Sequence, residues 1–501
     1  MAEELLINVN PFETRVALVS HGLLNEIHLA RSDGYSVTGN IYLGKVERVV
    51  PGMQAAFVDV GLARPGFLHA RDIDAPKTVL SDDQAEVKKA DIRDLIREGQ
   101  SILVQVEKDP IANKGARLST QLALASRYLV LMPKEAHVGI SQRIEDEDER
   151  ERLRTLLEQV ITDSETEFGL IARTAAEHES QDVLAADVKL LQRIWSRVQE
   201  RCQGLTAPAL VFEELPLHSR MVRDLVSTET ETIFIDDDST YKRIRGYVDE
   251  FIPQFAERLH FYDGKRPLFE RHGVEDEVKR ALGPRVTLKS GGSLVIEQTE
   301  AMISIDVNTG GFLGGTSLEE TVFRANMEAA SAIPRQLRLR NLGGIIVIDF
   351  IDMEDEEHQR QVLRALEKAA EGDPARTRIE GFSALGLVQM SRKRTRESLV
   401  QTMCAPCDYC AGEGVVKTAE SICVEVLRAL AQDHQARCRG KMVVGEYLIR
   451  ATEGVVDRLL DEDADHLANL SQAMEREIRI QVEPSYMQGQ FDIVLVQNVS
   501  R

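Results

Sequence analysis

Residues 303–311 read ISIDVNTGG, and residues 342–352 read LGGIIVIDFID. In each stretch an apolar run typical of a buried β-strand leads into an aspartate, Asp306 in the first and Asp349 in the second. Helical periodicity predicts one helix between them, over 318–338, and another after them, over 356–371. Strands that alternate with helices indicate a layered α/β domain, and such sheets bind ligands beyond the carboxyl ends of their strands.

These acidic strand ends favour a site for a hard cation. Asp306 and Asn308 are two residues apart, so both side chains project from one face of a strand. If the two strands are neighbours, Asp306 and Asp349 converge. Two carboxylates with an amide oxygen suit Mg²⁺, which takes few protein ligands and keeps waters for a substrate phosphate. The alternative is that each aspartate only caps a helix or closes a turn, and the residues alone leave both interpretations open.

The segments outside this domain have different patterns of apolar and polar residues. Residues 36–120 are β-rich, and about five strands with one helical insertion favour a small OB-type barrel. Its first segment, 38–50, is long enough to bend into two strands. Residues 128–200 mix strands with amphipathic helices at 147–160 and 182–199. A helix at 418–434 and an α+β tail predict a compact C-terminal module.

Composition limits the class of protein. A chain of 501 residues exceeds one hydrophobic core, so we expect several domains. The net charge of -21 is unusual for a nucleic-acid binder, although basic clusters at 335–340 and 392–396 leave room for a local phosphate groove. No apolar run approaches the ~20 residues that span a bilayer. The acidic N-terminus lacks the basic segment of a secretory signal, so we expect a cytoplasmic protein.

Three of the six cysteines, Cys404, Cys407 and Cys410, lie together in CAPCDYCAGEG (404–414). Two overlapping C-x-x-C steps followed by glycines are a zinc-knuckle signature, since thiolates need that spacing and glycine permits the tight turn. A structural zinc site needs four ligands, and this chain has no separate second C-x-x-C. A reduced loop without metal is the alternative.

Nine segments in the same order resemble the ribonuclease E/G family and together span most of the chain. They are GNIY (39–42), PGMQAAFVDVG (51–61), NKGAR (113–117), RTA (173–175), QTEA (298–301), DVNTG (306–310), RLRNLGG (338–344), IDFIDM (348–353) and GFSALGL (381–387). Cys404 and the run RTRES (394–398) resemble the ribonuclease G type most. Glu297 stands where the family commonly has aspartate.

The resemblance implies an α+β multidomain fold. It has an S1 (OB-fold) barrel near the N-terminus, an α/β catalytic core, a cysteine zinc-link and a small α+β C-terminal domain. The expected regions are an RNase H-like domain in two parts (1–35 and 216–282), the S1 domain (36–125), a 5′-sensor region (126–215), a DNase I-like catalytic domain (283–402), the zinc-link (403–416) and the C-terminal domain (417–501).

The resemblance also implies an activity and a site. Asp306 and Asp349 match the family's Mg²⁺ ligands, and Asn308 matches its assisting asparagine. The implied reaction is hydrolysis of single-stranded RNA to 5′-phosphate and 3′-hydroxyl ends. The implied substrates are rRNA precursors, including the 16S 5′ end, and mRNA undergoing decay.

Further positions match the family's RNA-holding residues. Phe57 and Phe67 match aromatic residues of its S1 barrel, and Lys108 and Lys114 match lysines that contact RNA. From the strand pattern alone, the alternative is that both phenylalanines are core residues, and an isolated strand phenylalanine more often lies in the core than on a binding surface.

Three residues match the family's pocket for a 5′-monophosphate, namely Arg173, Thr174 and Val130. Ser126 stands where ribonuclease E has glycine, and it belongs to the same pocket wall.

Cys407 and Cys410, with Cys404 as a possible extra ligand, match the family's zinc-link, in which two chains share one Zn²⁺. The implied assembly is a homodimer or a dimer of dimers. A different class remains as an alternative, a non-catalytic S1-type RNA-binding protein with a structural zinc, which would not need the acidic pair.

Overall fold

The computed structural model describes residues 3–31, 36–74, 91–110, 115–134, 137–163, 168–310, 318–394, 396–439 and 445–496. The chain is a mixed α+β protein that divides into two compact units, Met1–Leu399 and Val400–Arg501. The short helix α10 (Leu399–Met403) spans this division in the sequence. The described strands form four sheets in the first unit and one in the second.

One sheet joins the beginning of the chain to a distant later segment. Its strands are β1 (Glu3–Val9), β2 (Glu13–Ser20), β3 (Leu23–Arg31), β14 (Thr230–Ile235) and β15 (Leu259–Phe261), in the order β15-β14-β1-β2-β3. The apolar residues of β1 and β14 form a core with α4 (Leu217–Leu225) and α5 (Asp238–Phe251). Two further helices follow, α6 (Leu268–Arg271) and α7 (Val274–Leu282).

A closed five-stranded barrel follows β3 in the sequence. Its strands are β4 (Ile41–Val50), β5 (Ala55–Asp59), β6 (Gly66–His69), β7 (Ser101–Lys108) and β8 (Arg117–Ser119), in the order β4-β5-β6-β8-β7 with β4 pairing back to β7. The short helix α1 (Ile92–Leu95) precedes β7, and β13 (Ala209–Phe212) adds to β4 from outside the barrel.

The expectation that residues 38–50 form two strands is wrong. β4 is one strand with an irregularity between Val46 and Arg48. Its first half pairs with β7 and its second half with β5, so the bulge bends it enough to close the barrel without a break.

A four-stranded sheet with two helices lies between the barrel and β13 in the sequence. Its strands are β9 (Leu124–Ala125), β10 (Leu129–Met132), β11 (Val138–Ile140) and β12 (Gly169–Ala172), in the order β11-β12-β10-β9. The helices α2 (Glu147–Asp163) and α3 (Gln181–Gln203) supply leucines to the core beneath it.

The six-stranded sheet contains both quoted segments. Its strands are β16 (Arg285–Thr287), β17 (Ser293–Gln298), β18 (Met302–Asn308), β19 (Gly344–Asp349), β20 (Thr377–Phe382) and β21 (Leu387–Arg392), in the order β16-β17-β18-β19-β21-β20. The helices α8 (Leu318–Leu339) and α9 (Glu356–Ala370) pack on one face and form its core.

The apolar runs predict buried strands, and the structure confirms burial for one face of β18 and β19 but not for the other. Ile303, Ile305 and Val307 of β18 are buried, whereas the alternate residues are not. On β19 the side chain of Ile345 is 58% exposed. The apolar run of β19 therefore has one face covered by helices and one face open within the described part of the first unit.

The second unit contains a small three-stranded sheet and three longer helices. The strands are β22 (Glu446–Ala451), β23 (Ile478–Val482) and β24 (Phe491–Val496), and the helices are α11 (Ala419–Arg439), α12 (Glu453–Leu460) and α13 (Ala464–Met474). Tyr447, Ile449 and Leu430 are fully buried in its core. In the described parts of the chain, no helix combines the length and apolarity required to cross a bilayer.

Candidate functional site

The two acidic strand ends lie side by side. β18 and β19 are parallel neighbours, and their register places Asp306 directly opposite Asp349. Neighbouring strands lie about 4.8 Å apart, and residues paired in this way project from the same face. Both side chains are exposed, so the two carboxylates are accessible to a common ligand from solvent. The structure thus brings together the two aspartates that the sequence singles out.

Asn308 lies on the same face of β18. Its amide Nδ2 donates a hydrogen bond of 2.6 Å to Oδ2 of Asp306. This bond restricts rotation of the carboxylate, and it occupies only one of the two Asp306 oxygens among the contacts of the described residues. The local role of Asn308 is therefore to orient the aspartate.

The turn after β18 depends on a glycine. Gly310 has a φ of 59°, in the left-handed region that favours glycine. A Cβ at this position would also collide with the carbonyl oxygen of Gly291 in the adjacent turn. The chain can therefore pass close to the β16–β17 turn directly after the acidic pair.

The segment after β19 is held by a residue that sequence reasoning missed. Asn326, in the middle of α8, is fully buried. Its Nδ2 donates to the carbonyl of Ile351 at 2.7 Å, and its Oδ1 accepts the Ile351 N–H at 3.1 Å. This two-bond clamp fixes the backbone two residues beyond Asp349. A polar residue within an otherwise apolar helix face was the available signal.

A second group of metal-ligating side chains lies at the starts of two helices. Atoms of Glu319, Asp355 and His358 lie within 4.8 Å of one another. The His358 ring also stacks on Phe323 with a centroid separation of 4.2 Å. This group includes neither Asp306 nor Asp349, and its contacts are those of an ordinary helix-to-helix cluster.

Part of each basic cluster is used inside the protein. Arg338 pairs with Glu26 at 2.8 Å, Arg340 is 4% exposed, and Arg392 forms a buried pair with Asp373 at 2.6 Å. These three guanidinium groups make contacts inside the first unit, whereas Lys393 and Arg394 of the second cluster are exposed.

The predicted 5′-sensor residues meet at one end of the four-stranded sheet. Arg173 directly follows β12, and its Nη1 donates to the carbonyl of Ser126 at 2.5 Å. The Thr174 hydroxyl lies 3.1 Å from Oγ of Ser141. Val130 of β10 is half-buried and is paired with Ile171, two residues before Arg173.

Two carboxylates behind this sheet end were missed. Asp187 of α3 accepts a short hydrogen bond from the Ser126 hydroxyl and another from the Leu129 N–H at 3.1 Å. Burial raises the pKa of Asp187 to about 6. Asp187 lies between Leu184 and Val188 on the apolar face of an amphipathic helix, so the sequence could have indicated a buried acid at this position.

Asp224, at the end of α4, is the second missed carboxylate. It accepts from Nη2 of Arg173 at 2.7 Å and from Nε of Arg223 at 3.0 Å. Burial favours a higher pKa for Asp224, but its bonds to these two guanidinium groups hold the pKa below the usual value. Nothing in the sequence around it indicates this contact.

Two aromatic rings stand on the outer face of the barrel. Phe57 of β5 is paired with Phe67 of β6, and their ring centroids are 6.0 Å apart in an edge-to-face arrangement. Both rings are half-buried and lie outside the barrel core, which contains the alternate residues Ala56, Val58 and Leu68. The structure therefore excludes the core alternative for this pair. His69 adds a third ring, 6.4 Å from Phe67.

The two predicted lysines are separate cases. Lys108 is exposed at the end of β7, next to the strand that pairs with β6. Lys114 lies outside the described residues.

The cysteine link lies at the start of the second unit. Cys404 and Cys407 are exposed, Cys410 is half-buried, and all three are free thiols. The N–H of Gly414 lies 3.4 Å from Sγ of Cys410. Backbone N–H groups of Gly414 and Gly412 lower the pKa of Cys410, with a smaller contribution from Cys407. A lowered thiol pKa favours the thiolate that binds metals.

Comparison with known proteins adds two family matches. Residues 123–395 match the model of the ribonuclease E/G family. Residues 406–496 match a model described as the thioredoxin-like domain of RNase E/G. The small C-terminal domain is thus thioredoxin-like, which the sequence patterns did not indicate.

The chain is also similar to individual proteins over its whole length. It is 46% identical over 498 residues to ribonuclease G of Escherichia coli K12, covering 99% of this chain and 100% of that protein. It is 44% identical over 497 residues to ribonuclease G of Haemophilus influenzae, with the same coverage. Ribonuclease E of H. influenzae is 39% identical over 433 residues, which cover 86% of this chain and 46% of that protein.

Proposed function

Because the chain belongs to the ribonuclease E/G family and is an endoribonuclease, we propose that it hydrolyses single-stranded RNA with Mg²⁺ held by Asp306 and Asp349. The observation that carries this proposal is the register that sets these two carboxylates opposite each other at the open carboxyl end of β18 and β19.

The donor set fits the ion. Mg²⁺ prefers hard oxygen ligands and is commonly held by one or two carboxylates with water completing its shell. Asp306 and Asp349 offer two such groups on an exposed face, and Asn308 holds one of them in orientation. When bound, Mg²⁺ supplies Lewis-acid stabilisation of the charge that develops on the phosphodiester.

The reaction transfers a phosphoryl group from the 3′ oxygen of one nucleotide to water. The water oxygen forms a bond to phosphorus and gives up a proton, the bond from phosphorus to O3′ breaks, and O3′ takes up a proton. The products carry a 3′-hydroxyl and a 5′-phosphate. The chain's own contribution is to hold the carboxylates in place, through the Asn308 bond on one strand and the Asn326 clamp behind the other.

The barrel supports a preference for unpaired RNA. The order β4-β5-β6-β8-β7 is that of an OB-type barrel, and it presents Phe57 and Phe67 on its outer face. Exposed rings stack on unpaired bases, whose faces are accessible only outside a duplex. We assign Phe57, Phe67 and Lys108 to RNA binding. We assign Lys114 to the same role on its match to the family alone. The proposed substrates are rRNA precursors, including the 16S 5′ end, and mRNA in decay, in the cytoplasm.

We further assign Arg173, Thr174 and Val130 to recognition of a substrate 5′-monophosphate. A guanidinium beside a hydroxyl binds a phosphate through charge-assisted hydrogen bonds. Both groups lie at the same sheet end, with the half-buried Val130 adjacent.

The zinc-link gives the proposed assembly. Cys407 and Cys410 supply half of a four-thiolate set, so two chains sharing one Zn²⁺ would complete it. The lowered pKa of Cys410 and the turn at Gly412 and Gly414 suit such a ligand. The assembly is then a homodimer or a dimer of dimers.

A cleavage assay with product-end analysis tests the main proposal. The purified protein is incubated with a single-stranded oligonucleotide and a matched duplex, with Mg²⁺ and with a chelator. We expect cleavage of the single strand alone, only with Mg²⁺, and products with 5′-phosphate and 3′-hydroxyl ends. Binding of RNA without cleavage, or products with 2′,3′-cyclic phosphate ends, would contradict it.

A further inference from the structure

The Arg173 guanidinium is held by acceptors of the protein itself. Its Nη1 donates to the Ser126 carbonyl at 2.5 Å, and its Nη2 donates to Oδ1 of Asp224 at 2.7 Å. These two acceptors come from separate elements, the β9–β10 turn and the end of α4. The Arg173 side chain is 28% exposed, so this held group still faces solvent.

The carboxylate that holds Arg173 is itself fixed. Asp224 is also bound by Arg223, whose Nε donates to the same Oδ1 at 3.0 Å and whose Nη2 donates to Oδ2 at 3.2 Å. Arg223 is 6% exposed and also donates to Glu214 at 2.9 Å and to the carbonyl of Ala125 at 3.0 Å. Arg127 donates to the Arg223 and Val226 carbonyls, which ties down the end of α4. Asp224 is therefore a rigid support.

A fixed guanidinium binds an anion better than a mobile one. A free arginine side chain has many rotamers, and a ligand must order them at a cost in binding free energy. Arginine has five N–H donors in a planar fork, and the contacts with described residues use two of them, so within the described part of the chain three remain for a ligand.

From this geometry we propose that Asp224 is a positioning residue for recognition of the RNA 5′-monophosphate. It fixes the Arg173 guanidinium with its remaining N–H donors directed to the phosphate. This inference rests on the proposed sensor role of Arg173.

The test compares kcat/KM for a 5′-monophosphorylated oligonucleotide with kcat/KM for the same RNA carrying a 5′-hydroxyl. In Asp224→Ala we expect this preference ratio to fall by about tenfold or more, the size expected for a charged hydrogen bond. The 5′-hydroxyl substrate should be cut at the wild-type rate. Asp224→Asn retains an acceptor oxygen and should restore part of the preference, and it also serves if the alanine variant fails to fold.

Two further variants separate positioning from general structure. Glu214→Gln disturbs the same Arg223 network without touching Arg173, and it should keep the wild-type ratio. The double variant Arg173→Ala/Asp224→Ala should have the ratio of Arg173→Ala alone, since both changes remove one interaction. An unchanged ratio in both Asp224 variants, an equal fall in Glu214→Gln, or an additive fall in the double variant would each overturn the inference.

The sensor and the positioning role fail in different ways. A wild-type ratio of about one, or a ratio that Arg173→Ala does not lower, would refute the sensor itself. A wild-type preference that depends on Arg173 but not on Asp224 would refute the positioning role alone.

Discussion

Asp187 is an acid placed where a helix would normally present an apolar residue. It lies behind the candidate sensor, where it accepts hydrogen bonds from the Ser126 hydroxyl and the Leu129 N–H. Burial raises its pKa from 3.8 to about 6, because an ionised carboxylate loses hydration there. A group with a raised pKa stabilises the fold below its unfolded pKa, and this contribution is lost as the pH rises through the folded value.

The pKa of Asp187 gives a prediction for stability. Asp187→Asn keeps an acceptor oxygen but cannot ionise, so it should gain stability over the wild type as the pH rises from about 4 to about 8. The difference in free energy of unfolding between Asp187→Asn and the wild type should change by about 2–3 kcal/mol over this pH range. This follows from a pKa shift of about two units, at about 1.4 kcal/mol per unit. Urea unfolding at both pH values measures it. Glu200→Gln, at an exposed position of the same helix, should show no such trend, and a pH-independent difference for Asp187→Asn would contradict the account.

At the scale of elements, the barrel strands separate core from binding surface. Phe57 and Phe67 face outward while Val58 and Leu68 face inward, so a ring can be removed without opening a core cavity. We expect Phe57→Ala and Phe67→Ala each to weaken binding of single-stranded RNA by about 1–3 kcal/mol with little loss of stability. Fluorescence anisotropy and thermal unfolding measure the two effects. Phe12→Ala, which removes a ring that is 76% exposed in the β1–β2 turn, is the control. Unchanged affinity in both barrel variants would contradict the assignment.

Periodicity predicts the long helices well. The expected helices 147–160 and 182–199 are confirmed as α2 and α3, and those at 318–338 and 356–371 as α8 and α9, with ends shifted by a few residues. Each buries a stripe of apolar side chains against a sheet, and that stripe is the signal periodicity detects. For α3 the Ser180 side chain accepts from the Val183 N–H, so the cap explains the earlier start.

Sheet partners and faces are less accessible to sequence reasoning. The apolar run of β19 indicates a strand but not which face is covered, and its outer face is open. The register of Asp306 with Asp349 depends on a parallel pairing across α8, which local sequence does not specify. The contacts of Asp224 and Asn326 link residues far apart in the chain, and only the folded structure brings these partners together.

At the scale of the whole molecule, the cysteine link makes a prediction about assembly. A shared site predicts about one zinc for every two chains, since a structural site takes four ligands. Cys407→Ser or Cys410→Ser should remove the bound zinc and shift the particle mass towards that of one chain. Metal analysis and light scattering measure this. Cys438→Ser removes another exposed thiol of the second unit and should change neither quantity. Retention of zinc and mass in both link variants would contradict the shared site.

The net charge of -21 also has a consequence at this scale. An acidic protein repels RNA overall, so binding must come from local contacts. Arg338 and Arg392 of the basic clusters are used in internal ion pairs with Glu26 and Asp373, whereas Lys393 and Arg394 are exposed. We therefore propose that the attraction for RNA comes from stacking on the barrel, the sensor arginine and a bound divalent cation.

We propose that one divalent ion is held jointly by Asp306 and Asp349. The most direct test is the single-turnover cleavage rate of a 5′-monophosphorylated RNA as Mg²⁺ is titrated, for Asp306→Asn, Asp349→Asn and the double variant. We predict that each single change abolishes cleavage or reduces it by about a thousandfold or more, that the double change costs no more than either, and that RNA binding persists. Glu300→Gln, at the other end of the same hairpin, should be unaffected. Cleavage at the wild-type rate in either single variant, or independent losses that multiply in the double variant, would contradict the claim.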